Sequence, residues 1–164
     1  MRLLALLKRG EATGLRWLWV ALLVGLLDHF SKQWIVQHFM LDEVRYCLPW
    51  LNWVHVQNPG AAFSLLANDP AWHWLLAAAA VLVCGVLLVN LARQSASQRS
   101  LNLAYTWVIG GALGNLSDRL QTGAVIDFID LHLAGWHWPA FNVADSAICL
   151  GCAWLLWLSF QGAE

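Results

Sequence analysis

Four long apolar stretches dominate this chain of 164 residues, at about 15–35, 71–92, 101–118 and 141–160. A helix needs roughly 20 mostly apolar residues to cross about 30 Å of hydrocarbon, so each stretch approaches or reaches the length of a membrane span. Little of the chain is left from which to build a water-facing shell. Apolar residues make up 60% of the chain and charged residues 12%, against about 25% charged in an ordinary soluble domain. That balance excludes an ordinary soluble globule and a disordered chain. A net charge of −1 lacks the cationic footprint of a nucleic-acid-binding module, so no nucleic-acid partner is expected. The reading is a single integral membrane domain over residues 1–164, of the all-α membrane class, with four transmembrane helices and membrane lipids as its surroundings.

Orientation follows from basic residues, which accumulate on the cytoplasmic side of short loops. Arg2, Lys8, Arg9 and Arg16 precede the first stretch, and Arg93 and Arg99 lie between the second and third. Both termini are therefore expected in the cytoplasm, with segments 36–70 and 120–140 outside. Trp17, Trp19, Trp34, Trp72, Trp74, Trp136, Trp138, Trp154 and Trp157 fall near the span ends, as an interfacial aromatic belt requires. The run Leu3–Leu7 is too short for the apolar region of a cleavable signal peptide, so the first span itself is expected to enter the membrane. In the outer segment 36–70, Leu51-Asn-Trp-Val-His-Val-Gln57 alternates apolar and polar residues and reads as a strand. Asn58-Pro59-Gly60 then marks a turn. Residues 123–133 read as a strand or an interfacial segment.

Ionisable groups within or beside a bilayer are costly and tend to be functional or paired. At about 1.5 Å per helical residue, Asp28 lies about 18 Å beyond Arg16, with Lys32 one turn further out on the same face. Asp118 and Arg119 end the third stretch, and Asp145 lies just inside the fourth. The acids near the membrane thus gather toward the outer side, which points to a reaction centre there rather than to a relay across the bilayer. Each also has a plainer reading. Asp28 and Lys32 can neutralise one another. Asp118-Arg119 can be a helix-end pair with the arginine reaching for headgroups. Asn142 can cap the fourth helix with Asp145 in its first turn. Asp130 reads as a solvated neighbour of Asp127. Asp127 itself, between Val125, Ile126, Phe128 and Ile129, is hard to explain as surface decoration. Two carboxylates in a partly dry site cannot both ionise easily, and such a pair can hydrolyse an amide by acid–base chemistry. Asp127 and Asp145 can form that pair if the outer segment folds back over the start of the fourth helix.

Other chemistries fit less well. No His-Glu-x-x-His, no Gly-x-Ser-x-Gly and no phosphate-binding glycine loop occurs, and neither a metal nor a cofactor is expected. Cys149-Leu-Gly-Cys152 has redox-motif spacing but lies within a span, where it reads as small packing residues. Gly110-x-x-x-Gly114 is a close-packing motif for helix contact.

Five blocks, in order between the four spans, together resemble the lipoprotein signal peptidases (signal peptidase II), an aspartyl peptidase family of the bacterial cytoplasmic membrane. They are Asp28-His-Phe-Ser-Lys32, Asn58-Pro-Gly-Ala-Ala-Phe63, Gly114-Asn-Leu-Ser-Asp-Arg119, Val125-Ile-Asp-Phe128 and Phe141-Asn-Val-Ala-Asp145. No motif position departs from the family pattern. The resemblance implies four membrane helices with a small outer β-cradle and an outer interfacial arm. It implies cleavage of prolipoproteins just before a diacylglyceryl-modified cysteine, by a monomer. It marks Asp127 and Asp145 as the catalytic dyad. Asn58, Gly60, Asn115, Arg119 and Asn142 match residues that shape the site or contact substrate, and Asp28, Lys32 and Asp118 match structural support. Two competing readings remain at this point. A proton-coupled transporter would use the same acids as a relay, but needs ionisable groups through the inner half. A thiol-redox protein would depend on Cys149 and Cys152.

Overall fold

A computed structural model describes residues 12–60 and 70–161. Arg2, Leu3–Leu7, Lys8 and Arg9, residues 61–63 of the second block and the side chain of Trp72 lie outside the described set. A 3-10 turn at Gly14–Trp17 leads into α1 (Leu18–His38). Strands β1 (Val44–Leu48) and β2 (Leu51–Asn58) follow, then α2 (Pro70–Arg93) and α3 (Arg99–Thr122). Strands β3 (Val125–Leu133) and β4 (Trp136–His137) precede α4 (Val143–Gln161). At the helical rise the four helices are about 28 to 36 Å long.

Helix α3 is the centre of the bundle and packs against the other three. Its glycines explain how. A Cβ at Gly110 would sit 2.7 Å from the Ala21 carbonyl of α1, and one at Gly114 would sit 2.6 Å from Asp28 Oδ2. One at Gly111 would collide with the Ala144 carbonyl of α4. The Gly110-x-x-x-Gly114 motif is thus a packing seam, as expected from its spacing. Gly123, at φ 77°, ends α3 in the left-handed conformation that glycine adopts without penalty.

Among the described residues two helices, at Trp74–Arg93 and Val143–Gln161, are by themselves long and apolar enough to cross a membrane. Helices α1 and α3 are as long but carry more polar residues, and of those Asp28, Lys32, Asn102, Thr106 and Asn115 face inward. Asp28 and Lys32 are each 1% exposed, and Asn102 and Thr106 are fully buried. The opposite face of α1 presents Leu22, Leu23, Leu26, Leu27, Phe30 and Trp34. Apolar outside and polar inside is the reverse of a soluble bundle.

At one end of the bundle lies an antiparallel sheet in the order β1-β2-β3-β4. The alternating run after Trp50 forms β2, as its period of two predicts. The stretch expected as an outer arm, about 120–140, forms the end of α3 and the strands β3 and β4, so it belongs to the sheet. One face of β3 buries Ile126 and Phe128 against Ile35 of α1 and Phe39, the residue that ends it. The Ala134-Gly135 turn to β4 has both residues at positive φ, 50° and 83°, as tight two-residue hairpins require. Beyond β4 the chain runs back along β3, with Trp138 N–H on the Leu131 carbonyl and Phe141 N–H on the Ile129 carbonyl. This return delivers Asn142 and Asp145 to the flank of Asp127.

Candidate active site

The chain reversal at Phe141 begins α4 with a reciprocal cap. Asn142 Oδ1 accepts the Asp145 N–H at 2.8 Å, and Asp145 Oδ2 accepts the Asn142 N–H at 3.3 Å. This is the capping-box arrangement, with Asp145 at the third helical position. Asp28 Oδ1 takes the neighbouring Ala144 N–H at 2.8 Å. Asp145 is therefore fixed by the helix start itself, where the helix dipole favours a negative charge.

Strand pairing places the second carboxylate. Val56 lies opposite Asp127 and Asn58 opposite Val125, so Asn58 and Asp127 are diagonal neighbours on one face of the sheet. Asn58 Nδ2 donates to Asp127 Oδ2 at 3.0 Å, and Asn142 Nδ2 donates to Asp127 Oδ1 at 2.7 Å. Asn115 Nδ2 donates to Asp145 Oδ1 at 2.7 Å. Asn142 thus touches both acids, through its backbone N–H on one side and its side-chain amide on the other. Asp127 is 3% exposed. Burial, with the Asp145 charge beside it, pushes its carboxyl from an ordinary 3.8 up to about 7, against the lowering by Asn58 and Asn142.

Both carboxylates line a cavity of about 590 Å³, together with Asn58, Gly60, Asn115 and Arg119. Its remaining wall is mostly apolar, including Leu131, Trp138 and Phe141. Arg119 reaches back to the Asn115 carbonyl at 3.2 Å and to the Gly60 carbonyl at 3.5 Å. The reading of Arg119 as a headgroup-seeking arginine is corrected by this inward placement. Gly60 is itself held by Asn58 Oδ1, which accepts its N–H at 3.0 Å.

Beneath the cavity lies a buried charge cluster. Lys32 Nζ meets Asp28 Oδ2 at 2.7 Å, Asp118 Oδ2 at 2.8 Å and Asn115 Oδ1 at 3.0 Å. The Asp28–Lys32 pair exists as expected but is not self-contained, because it reaches α3 and the start of α4. Asp118 does not pair with Arg119 across the helix end. It binds Lys32 and takes the Ile126 N–H at 3.4 Å.

Asp130 is a second correction. Expected as solvated, it is 7% exposed. It accepts from Asn52 Nδ2 at 2.9 Å and from His137 Nδ1 at 2.8 Å. The period-2 alternation turns it to the sheet face opposite Asp127, where the cross-strand partner Asn52 replaces water. Ser146 and Cys149 also line the cavity and were missed. Cys149 stands four residues after Asp145, a spacing on the helix that could have found it, whereas Ser146, next in the chain, carried no such signal. Cys149 and Cys152 are both exposed on α4 rather than packed in the bundle.

Residues 20–161 match the family model described as Signal peptidase (SPase) II. The chain belongs to the signal peptidase II family. It is 51% identical over 150 residues to the lipoprotein signal peptidase of Yersinia enterocolitica, covering 91% of this chain and 89% of that one. It is 54% identical over 153 residues to the lipoprotein signal peptidase of Shewanella baltica, covering 93% and 90%. Two solved structures described as bacterial membrane enzymes share the fold. One has a TM-score of 0.80 at 24% identity over 91% of this chain and 90% of its own. The other has a TM-score of 0.73 at 26% identity over 86% and 90%. The signal peptidase II match spans every element that builds the cavity, from α1 to α4.

Proposed function

We propose that the chain is a membrane aspartic endopeptidase that removes the signal peptide from diacylglyceryl-modified prolipoproteins, cutting just before the lipidated cysteine. The observation that carries this reading is the pair Asp127 and Asp145, framed by neutral asparagine amides in one largely apolar cavity. Helix lengths, outward apolar faces and inward polar groups support four spans in the bacterial inner membrane. The placement of basic residues supports both termini inside, with the cavity then near the outer face. There a substrate can leave its acyl chains in lipid while its peptide bond meets water. The enzyme acts as a monomer on this reading.

The chemistry runs as an acid–base cycle. One aspartate, ionised, takes a proton from water as the water oxygen bonds to the scissile carbonyl carbon. The other, protonated, gives its proton to the carbonyl oxygen, forming a gem-diol. The first then returns its proton to the amide nitrogen while the second takes one from a gem-diol hydroxyl. The C–N bond breaks, leaving acid, amine and the starting dyad. Arg119, behind Gly60, positions the wall along which the peptide backbone lies. Proton-coupled transport has no support from the relatives, and the described carboxylates lie from Asp28 outward rather than through the inner half.

The test is cleavage of a synthetic prolipoprotein peptide, with and without its diacylglyceryl group, by protein in detergent or vesicles. Asp127→Asn and Asp145→Asn should each insert and fold yet lose cleavage by roughly 10³-fold or more, as expected when one member of an acid–base pair is removed. Appreciable turnover by either variant removes that residue from the dyad. Equal cleavage of both peptides defeats the lipid-dependent part.

A further inference from the structure

Lys32 is 1% exposed, and each of its three ammonium hydrogens has an acceptor: Asp28 Oδ2 at 2.7 Å, Asp118 Oδ2 at 2.8 Å and Asn115 Oδ1 at 3.0 Å. Two carboxylates already over-neutralise the cation. The third contact, to a neutral amide, adds nothing to charge balance, yet it fixes an orientation. A primary amide has one accepting and one donating end. With the ammonium on Oδ1, the reversed amide would set donor against donor. The NH₂ of Asn115 must therefore point the other way, where it meets Asp145 Oδ1 at 2.7 Å. Asp28, the partner of Lys32, also holds the Ala144 N–H next to Asp145. One buried cation, joined on the same Asn115 Oδ1 by the Asn142 amide at 3.3 Å, thereby organises both the donor on Asp145 and the helix turn that carries it.

The two acids are not equivalent in this frame. Asp145 sits at a helix N-terminus, is partly exposed, and receives the Asn115 amide and the Asn142 N–H. Asp127 is on a strand and nearly fully buried. Around Asp145 stand Lys32 and Asp28 from α1, Asp118 and Arg119 from α3, and Asp127 from β3. Strand β2 contributes the neutral Asn58, His137 of β4 is engaged by Asp130 on the other face of the sheet, and α4 has no other charged residue.

We propose that Lys32 is a positioning residue of the peptidase: acting through Asn115, it keeps Asp145 ionised as the group that takes the proton from water, leaving Asp127 as the proton donor. The proposal rests on the peptidase reading above and goes beyond structural support for Lys32.

The experiment is the pH profile of kcat/KM on the lipidated peptide for wild type, Asn115→Ala, the charge-conserving pair Lys32→Met with Asp118→Asn, and the triple combination. The acidic limb reports ionisation of the base. Loss of the amide donor should raise that limb by about one pH unit, with kcat falling about tenfold at the unshifted pH and KM little changed. The Lys32 pair should move the limb the same way, and should add little once Asn115 is Ala. A purely structural Lys32 would lower folded yield with the limb unmoved. An unmoved limb, or a Lys32 effect undiminished in the Asn115→Ala background, overturns the proposal. Should the Lys32 pair not fold, Asn115→Asp keeps a partner for Lys32 but offers Asp145 only oxygen. The limb must then rise, and its failure to do so also overturns the proposal. If wild type does not cleave the peptide, the peptidase reading fails. The Lys32 inference is then decided by infrared titration of the Asp145 carboxyl in Asp127→Asn protein, with Lys32 and Asp118 intact or replaced by Met and Asn. A rise in the Asp145 titration upholds it, and no change overturns it.

Discussion

Asp127 gives the sharpest prediction because its burial couples protonation to folding. Its carboxyl is raised from 3.8 to about 7 by burial and by the adjacent Asp145 charge. The folded state therefore holds this proton more tightly than the unfolded chain does. The stability this contributes is fully present below about pH 4 and is lost as pH rises through about 7. A shift of roughly three units, at about 1.36 kcal/mol each, makes the loss about 4 kcal/mol. At 3% exposure little solvent screening reduces it. For a protein of this size that is a fall in Tm of roughly 8 to 16 °C between pH 4 and pH 8. Asp127→Asn cannot titrate. It turns an NH₂ toward the amide of Asn58 or Asn142, which costs about 1–3 kcal/mol at low pH, but it escapes the loss at high pH. The two proteins should therefore cross: wild type is the more stable at pH 4.5, the variant equal or better at pH 8.5. Thermal or SDS-induced unfolding in detergent across that range measures both curves, and titrations remote from the dyad cancel in their difference. Parallel curves for wild type and variant would refute the claim that Asp127 carries a proton in the resting site.

Two further outcomes follow from the geometry. Gly111→Ala places a methyl group against the Ala144 carbonyl and 2.9 Å from Ile148 Cγ1, so α3 and α4 must separate. Unfolding should show a cost of about 1–3 kcal/mol, and kcat should fall more than KM rises, because the displaced turn carries Asp145. Asn142→Ala removes the cap on the Asp145 N–H, worth about 1 kcal/mol. It also removes a donor that lowers the Asp127 titration, so the basic limb of the cleavage profile should move to higher pH, and a basic limb at its wild-type position would contradict that bond.

Much of the site was legible because its parts obey short-range rules. The alternation after Trp50 yields β2. The spacing Asn142-x-x-Asp145 yields the capping box, and Asn115, Asp118 and Arg119 share a helix face at i, i+3 and i+4. What could not be read was direction across space. The same alternation that buries Asp127 in the cavity buries Asp130 on the reverse face, and only the cross-strand register with Asn52 and the return through β4 to His137 shows that it has partners there. Likewise the Asp28–Lys32 spacing reveals an ion pair but not its extension. That Lys32 reaches Asn115, 83 positions away, depends on Gly114 letting α1 approach α3.

The identity of the groups around the dyad carries a final physical point. Asp127 and Asp145 are contacted by side-chain amides and a backbone N–H, all neutral donors. A lysine or arginine in direct contact would hold both carboxylates ionised, since an opposite charge at that distance commonly lowers such a titration by 1–3 units. The dyad would then lack the proton that the scissile carbonyl needs. A wholly apolar lining would err the other way and leave neither acid ionised. Amides can orient both oxygens of a carboxyl in either protonation state, because an O–H oxygen still accepts while its proton points elsewhere. The cations are held one step back, Lys32 behind Asn115 and Arg119 toward Gly60. That layering lets one acid remain charged while its neighbour keeps a proton, which is the condition for acid and base to work side by side.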